Sequence, residues 1–434
     1  MNTQQAKRQL LQAGSASVLV KLSNVGLGFA LAVVLARLLG AEGFGQYAFV
    51  YAIVSILQTP TKLGLPILIV RETARADQEG RTGLMRALWR WAHLVVLGMA
   101  LAVLALTFLV IHFFGSGIAT AEAFFWAMAL IPMIALANVR GAALRGLGRV
   151  ILGQLPEAVL RPLFLLGLLG TAVLIFRQDL TAETALMLHV VAAALAFCIG
   201  AYFLFRHAPQ ANGKEAIALQ HRAWLVSAGI LGATGSINVI NANLDLVVLG
   251  LLRSEAEVGI YRVATTAAGL VVFGLQAINL VLMPRVSRLH AAGDTAALQD
   301  LATSSARWIL AVGVLVAAGL FLFGRPVIEL VFGEAFETAY PALMILVVAK
   351  LLGVSFGSVA MLLSMSGHER DTLAGVAVAC GGNVILNLLL IPPFGIVGAA
   401  VATGTTFLLW NILLWRRVEK RLGINSMAIS LRRA

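Results

Sequence analysis

This sequence predicts an all-α polytopic membrane protein, with about twelve transmembrane helices in two six-helix lobes that form a parallel internal repeat around a central cavity. Three observations lead there. Apolar residues make up 60% of the 434 and charged residues 12%, and mean hydropathy is +0.92; soluble domains are nearer half apolar and a quarter charged. Apolar runs long enough to cross about 30 Å of hydrocarbon recur throughout. The chain also echoes itself at a constant offset of 214 residues.

The runs fall at 12–36, 45–69, 92–113, 122–139, 151–176, 185–205, 223–250, 259–284, 308–324, 341–365, 373–391 and 396–415. The echo begins in the first pair. Asn24-Val25 returns as Asn238-Val239, Gly45 as Gly259, Tyr47 as Tyr261 and Arg71 as Arg285. Each copy reads as an apolar run, a short loop containing Glu, a Gly-x-Tyr re-entry, a second apolar run and a basic segment. Fixed-period similarity of this kind marks duplicated architecture. An N-terminal lobe is expected over 1–205, a linker over 206–222 and a C-terminal lobe over 223–434. The linker reads as a plain connection or as an amphipathic helix at the membrane surface. An even number of spans per lobe gives both the same orientation, hence a parallel repeat.

Alternating loops between two sides assigns twenty-three Lys and Arg to one side, Arg140, Arg145 and Arg149 among them, and four to the other. Basic residues gather on the cytoplasmic side of membrane proteins. Both termini are therefore expected in the cytoplasm, and the net charge of +12 reflects topology rather than nucleic-acid binding. Trp89, Trp91, Trp224, Trp308, Trp410 and Trp415 fall at run borders and read as interfacial anchors.

Several ionisable residues fall inside runs, where a charge costs about 2.5–3.5 kcal/mol or more and usually faces a wet interior. At 1.5 Å rise per residue, Lys21, Lys62 and Arg161 lie about 14–18 Å from their basic ends, and Lys350 about 15 Å from Tyr340. Snorkelling suits Arg262 better than these four. Gly14, Ser17, Lys21, Asn24 and Gly28 share one helical stripe, as do Ser227, Thr234, Asn238, Asn241 and Asp245. A stripe of small residues also suits close helix packing. Lys21, Lys62, Arg161, Lys350 and Asn24 are thus candidates for binding an anionic cargo in the cavity. Asp245, Asn241 and Asn238 are candidates for ion coupling, with an ion pair to Arg262 or Arg253 the alternative role for Asp245. Glu157 stands four residues before Arg161, a spacing suited to an ion pair. Lys21 aligns with Gly235 and Lys62 with Gln276, so mid-depth cations belong mainly to the first lobe.

Nothing points to an enzyme. Cys198 and Cys380 sit in apolar runs without metal spacing. There is no phosphate-binding GxxxxGK[ST] loop and no HExxH. No metal, cofactor or nucleotide is expected.

Residues 35–75, LARLLGAEGFGQYAFVYAIVSILQTPTKLGLPILIVRETAR, resemble the opening hairpin of the Wzx-type polysaccharide-biosynthesis flippases of the multidrug/oligosaccharidyl-lipid/polysaccharide exporter superfamily. The likeness rests on the Ala-Arg-Leu-Leu-Gly turn, the Gly-Phe-Gly-Gln-Tyr re-entry, Gly64-Leu65-Pro66 and Arg71-Glu72. It implies a transporter that flips an undecaprenyl-diphosphate-linked oligosaccharide to the outer leaflet of the bacterial inner membrane by alternating access. It also implies that a cationic cavity receives diphosphate and sugar. The implied setting is a monomer in the bilayer, serving an O-antigen, capsule or exopolysaccharide pathway beside a glycan polymerase and chain-length machinery. Lipid II flippases carry two further spans, a departure from the twelve counted here. Two alternatives stay open: a cation-coupled multidrug exporter of the same architecture, which would want acidic cavity residues, and a membrane-bound glycan polymerase, which would want a large outer loop.

Overall fold

The structure, a computed structural model, describes residues 3–114, 121–175, 180–210 and 221–428. Residues 211–220 of the expected linker and the side chains of Ser17 and Thr234 lie outside the described part. Among the described residues the chain is helical without strands. In order the α-helices are α1 (Thr3–Lys62), α2 (Leu65–Gln78), α3 (Thr82–Phe114), α4 (Ala121–Met128), α5 (Leu130–Gly146), α6 (Val150–Leu155), α7 (Arg161–Leu174) and α8 (Ala182–His207). They continue as α9 (His221–Leu252), α10 (Glu255–Ala268), α11 (Phe273–Ala291), α12 (Thr295–Val331), α13 (Tyr340–Val354), α14 (Val359–Met365) and α15 (Glu369–Leu422).

Among the described residues, ten helical stretches are long and apolar enough to cross a membrane. Two of them, α1 and α15, are double-length and fold back at Gly40 (φ 67°) and Gly395 (φ 53°). These are left-handed backbone states that glycine enters without steric cost. Counting each arm separately recovers the expected twelve spans. The second copy of the hairpin turns without a glycine. There Ser254 caps α10, its Oγ accepting from the Glu257 N–H at 3.3 Å, the S-x-x-E pattern of a helix start.

The chain forms two compact units that interleave in sequence. The first comprises Met1–Leu39 and Val50–Val239, the second Gly40–Phe49 and Ile240–Ala434. The core of the first unit gathers Leu65, Leu68 and Ile69 of α2, Met85 and Leu88 of α3 and Ala142 of α5 around Trp89 and Trp224. Both indoles are buried rather than interfacial; Trp89 Nε1 donates to Thr73 Oγ1 at 2.9 Å and Trp224 packs on Trp91 at 5.2 Å. Trp308, by contrast, is exposed.

The second unit uses the repeated Gly-x-Tyr motif as a reciprocal joint. A Cβ at Gly45 would lie 1.7 Å from the Glu255 carbonyl oxygen, and one at Gly259 would lie 2.2 Å from that of Ala41. Ala41 and Glu255 are themselves 214 residues apart, so each copy's glycine seats the other copy's preceding turn. This close approach, with Phe44 edge-on to Phe336 at 6.2 Å, explains why a ten-residue piece of the first hairpin packs with the second unit. At the chain's other end Gly423 stops α15 and the following residues strap onto α12. Gln299 Nε2 donates to the Asn425 carbonyl at 2.6 Å, and Asn425 N–H donates back to Gln299 Oε1 at 2.7 Å.

Candidate functional site

In the first unit two helix faces differ in kind. The exposed face of α3 is Leu94, Leu101, Leu106, Phe108 and Leu109, chemistry suited to lipid tails. The first arm of α1 instead exposes Lys21, Asn24 and Gly28 on one stripe, with Leu19, Ser23 and Gly26 exposed on the opposite side. A polar face on a membrane span belongs against water or protein rather than hydrocarbon.

Asn24 is fastened to the middle of the sixth to seventh helix pair. Pro156–Leu160, between α6 and α7, is wound as a π-turn, with the Arg161 N–H bonded to the Pro156 carbonyl. Pro162 has no N–H to offer the Ala158 carbonyl four residues back. Asn24 Nδ2 fills that position, donating to Ala158 O at 2.9 Å. The proline thus creates an orphan acceptor inside the span, and a polar side chain of α1 satisfies it.

The same π-turn carries Glu157, which is shared between two guanidinium groups. Its Oε2 lies 3.5 Å from Arg161 Nη1 and its Oε1 lies 3.6 Å from Arg140 Nη2. The expected i,i+4 pair is therefore present, with a second cation added. The charge pattern of the sequence places Arg140 in a basic loop. Instead α5 runs on to Gly146, and Arg140 is 2% exposed within the helix packing. It donates to the Phe197 carbonyl, lies 4.9 Å above the Phe197 ring, and fills a slot that a Cβ on Gly200 would close at 2.3 Å. The positive charge of Arg161 acts on Lys62 and on His189, and His189 is buried and stacked on Tyr51 at 5.2 Å. One carboxylate thus faces Arg140 and Arg161, with Lys62 in the same field, so the cluster keeps an excess of positive charge. Such an excess in a poorly solvated site attracts phosphate and carboxylate groups strongly.

Lys62 ends α1, after a run of buried polar residues. Thr59 Oγ1 donates to the Ser55 carbonyl at 2.9 Å and Thr61 Oγ1 to that of Gln58 at 2.7 Å. Lys21 stands one turn from Asn24 on the exposed face. The structure therefore gathers Lys62, Arg161 and Asn24 in one unit with Lys21 nearby, whereas Lys350, Asn241 and Asp245 lie in the second unit and Asn238 in the first.

In the second unit Asp245 finds neither of the arginines considered for it. Arg253 pairs with Glu257 at 3.1 Å. Asp245, 4% exposed, accepts from Tyr261 OH at 2.6 Å, Thr403 Oγ1 at 3.1 Å and the Leu246 N–H at 3.1 Å. The polar chain continues inward. Asn383 Nδ2 reaches Thr403 Oγ1 at 3.5 Å and Thr406 Oγ1 at 3.2 Å, and Asn387 Nδ2 donates to Asn383 Oδ1 at 2.9 Å. Among the described residues, buried Asn241 Oδ1 meets no hydrogen-bond partner. The ammonium of Lys350 lies 5.9 Å from the Phe407 ring centroid and feels the Asp245 charge. Asn383 and Asn387, four apart in an apolar run, were visible in the sequence. Their convergence with Tyr261 and Thr403 on one carboxylate was not. A cavity of about 400 Å³ between α13 and the second arm of α15, lined by Met344, Val348 and Leu408 among others, suits hydrocarbon rather than an anion.

Comparison with known proteins places this arrangement in context. The family model described as polysaccharide biosynthesis protein matches residues 10–290, and that of the lipid II flippase MurJ matches residues 260–432. The Haloferax volcanii protein named "Probable low-salt glycan biosynthesis flippase Agl15" is 28% identical over 174 residues, which cover 39% of this chain and 36% of that protein. The chain spans little more than a third of the length of the curated relatives it matches. Among solved structures, an inward-facing multidrug resistance MATE family transporter of the MOP superfamily superposes with a TM-score of 0.77 at 15% identity, covering 94% of this chain and 98% of that one. The lipid II flippase MurJ in an inward closed conformation gives 0.73 at 12% identity, covering 94% and 87%. At these identities the structural likeness speaks for the fold.

Proposed function

Because the chain belongs to the polysaccharide biosynthesis protein family, we propose that it is a flippase for a polyprenyl-diphosphate-linked oligosaccharide, undecaprenyl diphosphate being the lipid carrier. Cargo enters from the cytoplasmic leaflet of the bacterial inner membrane and leaves on the outer side by alternating access. Lys21, Lys62 and Arg161 hold the diphosphate, Asn24 contacts the sugar or phosphate oxygens, and Lys350 is a further cation on the route. The observation that carries this reading is the excess of cations over carboxylates around Glu157, beside a polar α1 face. A carrier of organic cations would need the opposite sign there.

Asp245, with Asn241 and Asn238 along the same helix, serves as the coupling site for H⁺ or Na⁺. A buried carboxylate whose hydrogen bonds come from neutral hydroxyl and backbone amide donors, with Lys350 acting on it only through space, supports that role.

Reconstitution in liposomes with a fluorescent undecaprenyl-diphosphate oligosaccharide tests both parts. Lys62→Ala and Lys21→Ala should each slow flipping about ten- to hundredfold, the loss of a charge-assisted contact, at unchanged protein level. Normal flipping in both variants removes the cationic site. Uptake of tetraphenylphosphonium by the unaltered protein would instead favour an exporter. Collapsing proton and sodium gradients separately reads the coupling; flipping indifferent to both rules out Asp245 as the coupling group.

A further inference from the structure

The junction between α1 and α2 is held by an element from the other half of the sequence. Leu63 has a φ of 41°, the one non-glycine residue with positive φ among the described residues. Leucine keeps such a backbone state only where its surroundings enforce it. Those surroundings are the opening turns of α9. Gly64, the first residue past the break, turns its N–H away from α1 and donates to the Ala228 carbonyl at 3.0 Å. One turn further along α9 is Gly232, where a Cβ would lie 2.3 Å from Gly64 N and 2.6 Å from the Leu63 carbonyl carbon. Ala228 and Gly232 stand four residues apart on one helix face, so together they make a smooth seat into which the junction fits. The seat is anchored, because Ala228 is fully buried and Trp224, one turn before it, is part of the first unit's core. Past the break α2 restarts at once, Ile67 and Leu68 donating to the Gly64 carbonyl at 3.1 Å, with Pro66 in its first turn where no N–H is required.

Lys62 immediately precedes this strained residue. We propose that Ala228 and Gly232 are positioning residues for Lys62: the start of α9 holds the junction in its strained form and thereby sets where the ammonium lies. A slide of this seat along the junction would let Leu63 relax out of the left-handed state and carry Lys62 away from the Arg161 cluster, so the start of α9, which belongs to the first unit up to Val239, times the loosening of the anion. The timing part rests on Lys62 receiving the cargo's diphosphate; the positioning part does not, and the two are tested apart.

Positioning is read without cargo. In purified protein with Cys198→Ala and Cys380→Ala, a Lys62→Cys thiol is titrated with a cationic methanethiosulfonate reagent. Adding Gly232→Ala should change its reaction rate at least about tenfold, as the added methyl unseats the junction. Gly229→Ala, at an exposed position on the same helix with nothing within 4 Å, should change it less than about twofold. An unchanged rate with Gly232→Ala, or an equal shift with Gly229→Ala, overturns the positioning role. Should Gly232→Ala fail to fold, Ala228→Gly, which loosens the same seat without adding atoms, gives the positioning reading, and Leu63→Gly reads the timing role. Glycine holds the left-handed state unaided, so the junction should stay seated through the cycle, lowering the flipping kcat about fivefold with KM unchanged and thermal stability kept or raised. Unaltered kcat in a Leu63→Gly protein overturns the timing role. Loss of Lys62 chemistry from transport altogether, seen as normal flipping by Lys62→Ala, refutes the cargo site while leaving the labelling result intact.

Discussion

The two units share a duplicated opening hairpin yet solve the problem of intramembrane polarity in opposite ways. The first places guanidinium and ammonium groups around one carboxylate, Glu157. The second surrounds one carboxylate, Asp245, with neutral hydroxyls and amides, and holds Lys350 nearby against an aromatic ring. Duplication therefore transmitted a scaffold, while the chemistry diverged at its sockets: Lys21 and Lys62 answer to Gly235 and Gln276. Under the proposed function this difference assigns cargo binding to one unit and ion coupling to the other, since opposite charges set close together would neutralise each other.

That contrast can be probed at four places. Arg140→Met leaves Glu157 with one cation in place of two and empties a slot built for a guanidinium. Arg161 still faces Glu157, so the loss is of two charge-assisted contacts, to Glu157 and to the Phe197 carbonyl, at about 1.5–3 kcal/mol each, and a large fall in thermal stability is expected. Arg140→Lys should recover little, since an ammonium cannot both meet Glu157 and lie flat over Phe197. In the second unit Tyr261→Phe removes one donor to Asp245 and should cost about 1.5–3 kcal/mol, the range for hydrogen bonds to charged groups. A smaller loss than Arg140→Met would confirm that the second network rests on neutral donors. Next come Gly45→Ala and Gly259→Ala. Each forces a methyl into a backbone contact, costing about 1–3 kcal/mol. Because both act on one reciprocal joint, the double variant should cost less than the sum; strict additivity would show the two contacts to be independent.

The smallest effect lies on the surface after α2. The Glu79 carboxyl is held below its usual pKa by its hydrogen bond to Arg75, and then by Arg81, against a partial desolvation penalty. A lowered carboxyl pKa stabilises above the unfolded value and loses that contribution as pH falls through the folded one. Glu79→Gln should therefore cost a little stability near neutrality and flatten the acid limb below about pH 4.5, where the unaltered protein loses that contribution. Being fully exposed, the pair is weak, and any neutral-pH shift approaching that of Tyr261→Phe would contradict this ranking.

Much of the architecture could be read before any coordinates, because membrane crossing leaves a coarse signal. Apolar runs gave the twelve spans, and Gly40 and Gly395 merely bend two of them back. The offset of 214 located the joint at Gly45 and Gly259 without revealing that the copies grip each other there. Arg140 was misplaced because run length judged by hydropathy ends at the first charge, whereas α5 continues wherever a buried carboxylate and a carbonyl can receive that charge. Trp89 and Trp224 were taken for interfacial anchors for a similar reason: tryptophan near a run border satisfies its N–H equally well with headgroups or with Thr73 inside a core. The link from Asn24 to Ala158 depends on Pro162, and no spacing rule connects residues 134 positions apart.

What the order of residues settles alone is local and periodic: helix, span, hairpin, duplication and the uneven supply of cations, each set by nearest-neighbour sterics and by transfer of side chains into hydrocarbon. What required the folded molecule is partnership. Which carboxylate serves which cation, which helix fills the acceptor left by a proline, and which segment from the far half steadies Lys62 all depend on approach distances of a few ångströms between distant positions. Those distances are fixed by close packing, to which one-dimensional patterns are blind.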